Sequence, residues 1–127
     1  MDRHPFRLAV EQDDLEAVRA MLHEDVEFRS PAVHHPYQGR EVVAHLLAHA
    51  KATLEGLTYL DELRGGDSLA LVFTARVGDR DVEGLDHLTF DGDGRITRFR
   101  VMIRPLSGLV AVAQTMGARL EQDPPPG

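Results

Sequence analysis

Cysteine is missing from this 127-residue chain. Without a thiol there is no disulfide, no thiolate nucleophile and no cysteine-held metal. Basic residues are also in short supply, 14 against 21 acidic ones, for a formal net charge of −7. That balance speaks against nucleic acid as a partner, since phosphate binding needs a concentrated basic face. No apolar run reaches the ~20 residues of a membrane-spanning helix. The start, "MDRHPFRLAVEQDD", lacks the apolar stretch of a signal peptide. A cytoplasmic protein without membrane contact is expected. Low-complexity sequence is confined to "DPPPG", so residues 123–127 are expected to be a disordered tail. What remains, with 43% of residues hydrophobic, suits one domain over residues 1–122.

The chain begins helical. "PFRLAVEQDDLEAVRAMLHED" predicts two short helices or one broken helix, with Asp13 or Asp14 as a cap and Leu15, Val18 and Leu22 as the apolar stripe. "VEFRSP" predicts a brief extended segment closed by Pro31, and "AVHHPYQG" a loop. Gly39 precedes "REVVAHLLAHAKATLEG", a helix with Val42, Val43, Leu46, Leu47, Ala50 and Leu54 inward and Gly56 as its stop. The next stretch, through Arg104, changes character. It holds four strand-like runs separated by GGD, GD and DGDG turns, the pattern of an antiparallel meander. After Pro105, "LSGLVAVAQTMGARL" regains helical spacing. Helices, then sheet, then helix is an α+β order.

Two hairpins test one another. Pairing Val77 with Arg80 sets Leu71 opposite Asp86 and Phe73 opposite Gly84. Pairing Phe90 with Arg95 sets Asp86 opposite Phe99 and Gly84 opposite Val101. Both registers give one inner face, built from Leu69, Leu71, Phe73 and Ala75, then Val82, Gly84, Asp86 and Leu88, then Phe99, Val101 and Ile103. Asp86 therefore stands in an apolar row, where an unpaired charge is costly. Gly84 beside it removes a side chain and is expected to leave room for a ligand. The outer face mixes Val72, Leu85 and Met102 with Arg76, Glu83, Arg98, Arg100 and Arg104, a composition that suits either a subunit interface or a merely patchy surface.

The element order, with "DDLEAVRAMLHEDVEFRSP", "YQGREVVAHLLAH" and "GLDHLTFDGDGRITRFRVMIRP", resembles the nuclear transport factor 2-like superfamily, in particular its SnoaL-like members, over roughly residues 6 to 105. The resemblance implies a curved antiparallel sheet wrapped round the N-terminal helices to form a cone with an apolar cavity. It also implies a homodimer through the outer sheet face, here Val72, Leu85, Arg100 and Met102. Isomerases, polyketide cyclases and non-catalytic binders share this fold, so membership alone assigns no activity. In ketosteroid isomerases an oxyanion-hole aspartate lies four residues before the phenylalanine of a "FDxxGRI" turn. Asp86 holds that place before Phe90. Their oxyanion-hole tyrosine corresponds to Phe6 here, and their base aspartate before a proline to Ser30, so steroid isomerisation by that mechanism is not expected.

Asp86 is accordingly the candidate acid–base group, with His34, His35 and Tyr37, from the loop that edges the cavity mouth in this family, as candidate assistants. Tyr37 and Tyr59 are the only phenols able to replace the missing tyrosine. The ligand is expected against Phe6, Val10, Phe28, Ser30, Tyr59, Leu71, Phe73, Gly84, Phe99, Val101 and Ile103. The helix after Pro105 has little polar face, so it is expected to cover the mouth of the cone or to join the dimer. His45 and His49 have the i,i+4 spacing of a helical zinc pair, but neither the adjacent glutamate of the protease motif nor an evident third ligand, so no metal is expected. "DGDGR" is read as a turn, because Met102 stands where a calcium loop needs a bidentate glutamate. The expected function is binding of a small hydrophobic, carbonyl-containing molecule, with cofactor-free isomerase- or cyclase-type proton transfer at Asp86. The alternative is a non-catalytic binder or a dimeric scaffold.

Overall fold

Local signals at the N-terminus divide the helical region in two. In the computed structural model, which describes residues 2–127, α1 runs Pro5–Glu11 and α2 Leu15–Met21. The break falls at Asp13, which has a φ of +59°. Of the two expected caps Asp14 does the work, its carboxylate accepting from the Ala17 amide at 3.1 Å. α2 passes directly into β1 (Leu22–Arg29), longer than the brief segment expected. The following loop holds a two-residue strand, β2 (Tyr37–Gln38), that the sequence reading missed. α3 (Arg40–Thr53) stops before Gly56, which lies instead in β3 with φ +62°.

The meander is present as β3 (Glu55–Gly65), β4 (Ser68–Val77), β5 (Arg80–Phe90) and β6 (Ile96–Arg104). These belong to one six-stranded sheet in the order β2-β1-β6-β5-β4-β3. All neighbours are antiparallel except β1 and β6, which run parallel. The sheet is therefore mixed. α4 (Leu106–Gln122) closes the order.

The β4–β5 register is the expected one, with Leu71 opposite Asp86 and Phe73 opposite Gly84. The β5–β6 register differs. Asp86 faces Val101 rather than Phe99, and Gly84 faces Ile103. The cause is local to the DGDG turn. Asp91 Oδ1 accepts from the amides of Asp93 at 2.9 Å and Arg95 at 3.0 Å, which pinches the turn shut. Phe90 then pairs with Ile96, and a bulge between Thr89 and Phe90 carries the displacement to two residues. A shift of two preserves the side-chain alternation, so the inner face keeps its expected members.

That face forms the core with the helices. Phe6, Phe73, Phe99, Leu22, Leu69, Leu71, Leu88 and Ile96 are all fully buried. Phe99 links them, with the Phe6 ring edge-on at 5.5 Å and the Phe28 ring tilted at 5.6 Å. On the opposite face Val72, Leu85 and Met102 stand in a single cross-strand row. At the far end of α4, Asp123 is its C-cap, the backbone N–H donating to the Arg119 carbonyl. The side chain of this first tail residue, expected to be disordered, is placed against His45 and His49 of α3.

Candidate functional site

Between the inner sheet face and the helices lies a cavity of about 370 Å³. The sheet supplies Phe28, Phe73, Asp86, Phe99, Val101 and Ile103 to its wall. α3 supplies Leu46, Leu47 and Ala50, and α4 supplies Val112, Ala113, Met116, Gly117 and Leu120. Thus α4 roofs the cavity. Leu15 and Val33 also line it and each remains 41% exposed, so this side reaches solvent.

The lining is almost wholly apolar, and most of its polar groups are already engaged. Ser30 Oγ accepts from the Ala32 and Val33 amides at 3.0 and 2.9 Å, fixing the loop after β1. Thr53 Oγ1 donates to the His49 carbonyl at 2.8 Å. Lys51 Nζ meets the Asp13 carboxylate at 3.4 Å. Left facing the cavity are Asp86 from β5 and Tyr59 from β3, both buried, with the half-buried Tyr37 of β2 also on the wall. Tyr59 comes into position because β3 pairs it with Phe73 and then shifts register before Asp61. Arg7 of α1 steadies it, with the guanidinium 5.8 Å from the ring centre and donating to the Tyr59 carbonyl at 3.4 Å.

Burial dominates the electrostatics of the pair. It pushes the Asp86 carboxyl up to about 7, against the stabilising influence of the nearby Tyr59 hydroxyl. The Tyr59 phenol is raised well out of the working range, first by burial and then by the Asp86 charge. Near neutrality Asp86 is therefore divided between acid and base forms while its neighbour stays protonated. A group so poised can give or take a proton without a cofactor.

The SnoaL-like domain model matches residues 3–99. The chain belongs to the SnoaL-like family. It shares its fold with a steroid delta-isomerase from Pseudomonas aeruginosa, 41% identical with a TM-score of 0.89 over 92% of this chain and 87% of that one. A bacterial protein of cystatin-like fold from Silicibacter pomeroyi is 31% identical, with a TM-score of 0.89 over 94% and 84% of the two chains. A protein of ketosteroid isomerase-like fold from Catenulispora acidiphila, in complex with trimethylamine, is 19% identical, with a TM-score of 0.63 over 87% and 89%. This last likeness is one of fold alone. Among proteins of curated function none matches.

Within this SnoaL-like chain the residues singled out by sequence separate into three groups. Phe6, Val10, Phe28, Ser30, Tyr37, Tyr59, Phe73, Asp86, Phe99, Val101 and Ile103 line the cavity. Leu71 and Gly84 do not. Leu71 is buried beneath the wall, and the space beside Gly84 is filled by the Phe73 ring, whose tip lies 2.2 Å from where a β-carbon would stand. The room expected for a ligand is room for Phe73. His34 and His35 are exposed and outside the lining, His34 on a shallow outer depression and His35 edge-on to Tyr37. The structure does not bring them to Asp86. The inward face of α3 expected from its spacing, Leu46, Leu47 and Ala50, lines the cavity too, as do residues of α4, though the expected ligand contacts included neither helix; apolar spacing was the signal for both.

Proposed function

We propose that the protein binds a small hydrophobic carbonyl compound in this cavity, with Asp86 as the group that meets the carbonyl. The observation that carries the reading is a buried carboxyl, beside the Tyr59 phenol, on the wall of a largely apolar pocket. A volume of about 370 Å³ falls near the low end of small-molecule sites. Protonated Asp86 donates a hydrogen bond to the carbonyl oxygen. Ionised, the same carboxylate removes a proton from the carbon beside the carbonyl and returns it further along the conjugated system. That is an isomerisation with no net change of atoms and no cofactor. The 41% identity with a steroid delta-isomerase supports this chemistry. The oxyanion tyrosine and base aspartate of ketosteroid isomerases are replaced by Phe6 and Ser30, which favours a ligand handled through one carboxyl.

The test is deuterium wash-in from D2O at the carbon beside the carbonyl, across a panel of hydrophobic ketones, for wild type and Asp86→Asn. Exchange that is lost in the variant, while the ketone still binds, is expected. Binding without exchange in wild type leaves the non-catalytic binder. If no ketone binds either protein, both readings fall and a scaffold role remains.

The outer row of Val72, Leu85 and Met102 supports a homodimer through that face. Met102 is 50% exposed, and the flanking Arg104–Glu83 pair, at 3.4 Å, gives the row a charged border. Sedimentation equilibrium should show a dimer for wild type and a monomer for Met102→Glu. A wild type that stays monomeric at high concentration rules this interface out.

A further inference from the structure

Away from the cavity, α3 and the end of α4 bring three potential metal ligands together. His49 Nε2 lies 2.9 Å from Asp123 Oδ2, and His45 Nε2 lies 3.6 Å from the same oxygen. The Asp123 backbone carbonyl is 2.8 Å from His45 Nε2. The ligand atoms of the three side chains all fall within 4.8 Å of one another, the one such group among the described residues. We propose that His45, His49 and Asp123 form a divalent-cation site, best suited to zinc, that fastens the roof helix of the cavity to α3.

The chemistry and the spacing agree. Two imidazoles and a carboxylate are a common three-ligand set for zinc, which leaves a fourth position for water or the Asp123 carbonyl. Bonds of about 2.0–2.2 Å in a tetrahedron put neighbouring ligand atoms about 3.3 Å apart. The two nitrogen-to-carboxylate separations of 2.9 and 3.6 Å bracket that figure, and all three ligand atoms lie within 4.8 Å of one another, so side-chain rotation is what brings them onto one ion.

The placement of each ligand is built into the chain. The i,i+4 spacing in "HLLAH" sets both imidazoles on one side of α3, their rings edge-on with centres 4.9 Å apart. Asp123 is held from both sides. Its amide caps α4, and Pro124 after it disfavours the helical conformation, which Asp123 leaves with φ −140° and ψ 78°. The histidine side chains are 20% and 17% exposed and the aspartate 63%, so a cation can reach the site from solvent. The cation takes the place of the direct contacts between the imidazoles and the aspartate.

The consequence concerns the cavity without depending on what the cavity binds. α4 contributes Val112, Met116 and Leu120 to the roof, and α3 contributes Leu46 and Ala50 beneath it. A metal at the crossing of these helices holds the roof down.

The test uses the untagged, metal-stripped full chain and zinc chloride alone. Calorimetry should find one zinc per chain with a Kd in the micromolar range. At a hundredfold excess over Kd the Tm should rise by about 5 °C or more. His49→Gln and Asp123→Asn should each weaken binding at least tenfold, whereas a His34→Gln/His35→Gln double variant, which removes the other adjacent histidine pair, should leave it unchanged. Zinc should also slow amide exchange in the last turn of α4. Absence of zinc binding overturns the proposal. So does binding that survives in both His49→Gln and Asp123→Asn, or that disappears in the His34→Gln/His35→Gln protein.

Discussion

Asp86→Asn should be more stable than wild type at pH 8 by about 2–4 kcal/mol, and about equally stable at pH 4. The folded carboxyl is raised from its ordinary 3.8 to about 7 by burial, a shift that corresponds to about 4 kcal/mol between its two protonation states. A raised acid binds its proton more tightly when folded than when unfolded. Below pH 3.8 both states are protonated, and the group imposes no penalty on folding. Between 3.8 and about 7 the unfolded chain ionises first, and stability falls as the pH rises. Above 7 the penalty is fully present and constant. An asparagine has no such titration, so the variant escapes the loss. The lower end of the range allows for the favourable influence of the Tyr59 hydroxyl on the carboxyl, which an amide reproduces less well.

The measurement is urea denaturation of both proteins from pH 4 to pH 9, read as the difference between them. Acid-side losses from carboxylates held low by their partners, such as Glu62 beside Arg64 and Asp91 in its turn, occur in both proteins and cancel. A difference that does not change with pH would mean that Asp86 titrates like an exposed carboxylate, and the acid–base reading would fail with it. The expected gain in stability on removing the group at alkaline pH is what a site maintained for function rather than for folding produces.

Much of this site could be seen in the sequence because β-structure alternates strictly. Parity alone sets Asp86 inward, and parity is kept at the DGDG turn because the register there is displaced by two residues. The displacement itself has a different origin. Asp91 gathers two amides in the turn, and no pattern of apolar residues reports which amides a carboxylate will gather. Tyr59 could be named as a phenol but not positioned, since β3 shifts register twice and those shifts leave no mark on the alternation. Pairings between distant segments were least legible. The parallel contact of β1 with β6, and the meeting of His45 and His49 with Asp123, join residues more than 70 positions apart. The third ligand was in the sequence throughout, in a tail whose composition suggested only disorder.

Gly84→Ala should destabilise the protein by about 1–3 kcal/mol and contract the cavity as well. At most surface glycines of this chain a methyl group would meet nothing. At Gly84 a β-carbon would come within 2.2, 2.6 and 2.8 Å of three Phe73 ring atoms, distances at which the ring must move. Phe73 is fully buried and lines the cavity, with the Tyr59 ring edge-on at 6.4 Å. The one direction with empty space is the cavity itself. Displacement that way lowers affinity for any ligand and disturbs the phenol beside Asp86. A two-by-two comparison with Phe73→Leu isolates the contact, because leucine lacks the ring tip that the methyl group meets. Gly84→Ala should cost markedly less in the Phe73→Leu background than in wild type. An equal cost in both backgrounds, by urea denaturation, would place the strain in the backbone of β5 and not in the ring. Glycine next to the carboxyl is then explained by what it admits: an aromatic wall close enough to keep water from Asp86, and so to hold its proton near neutrality.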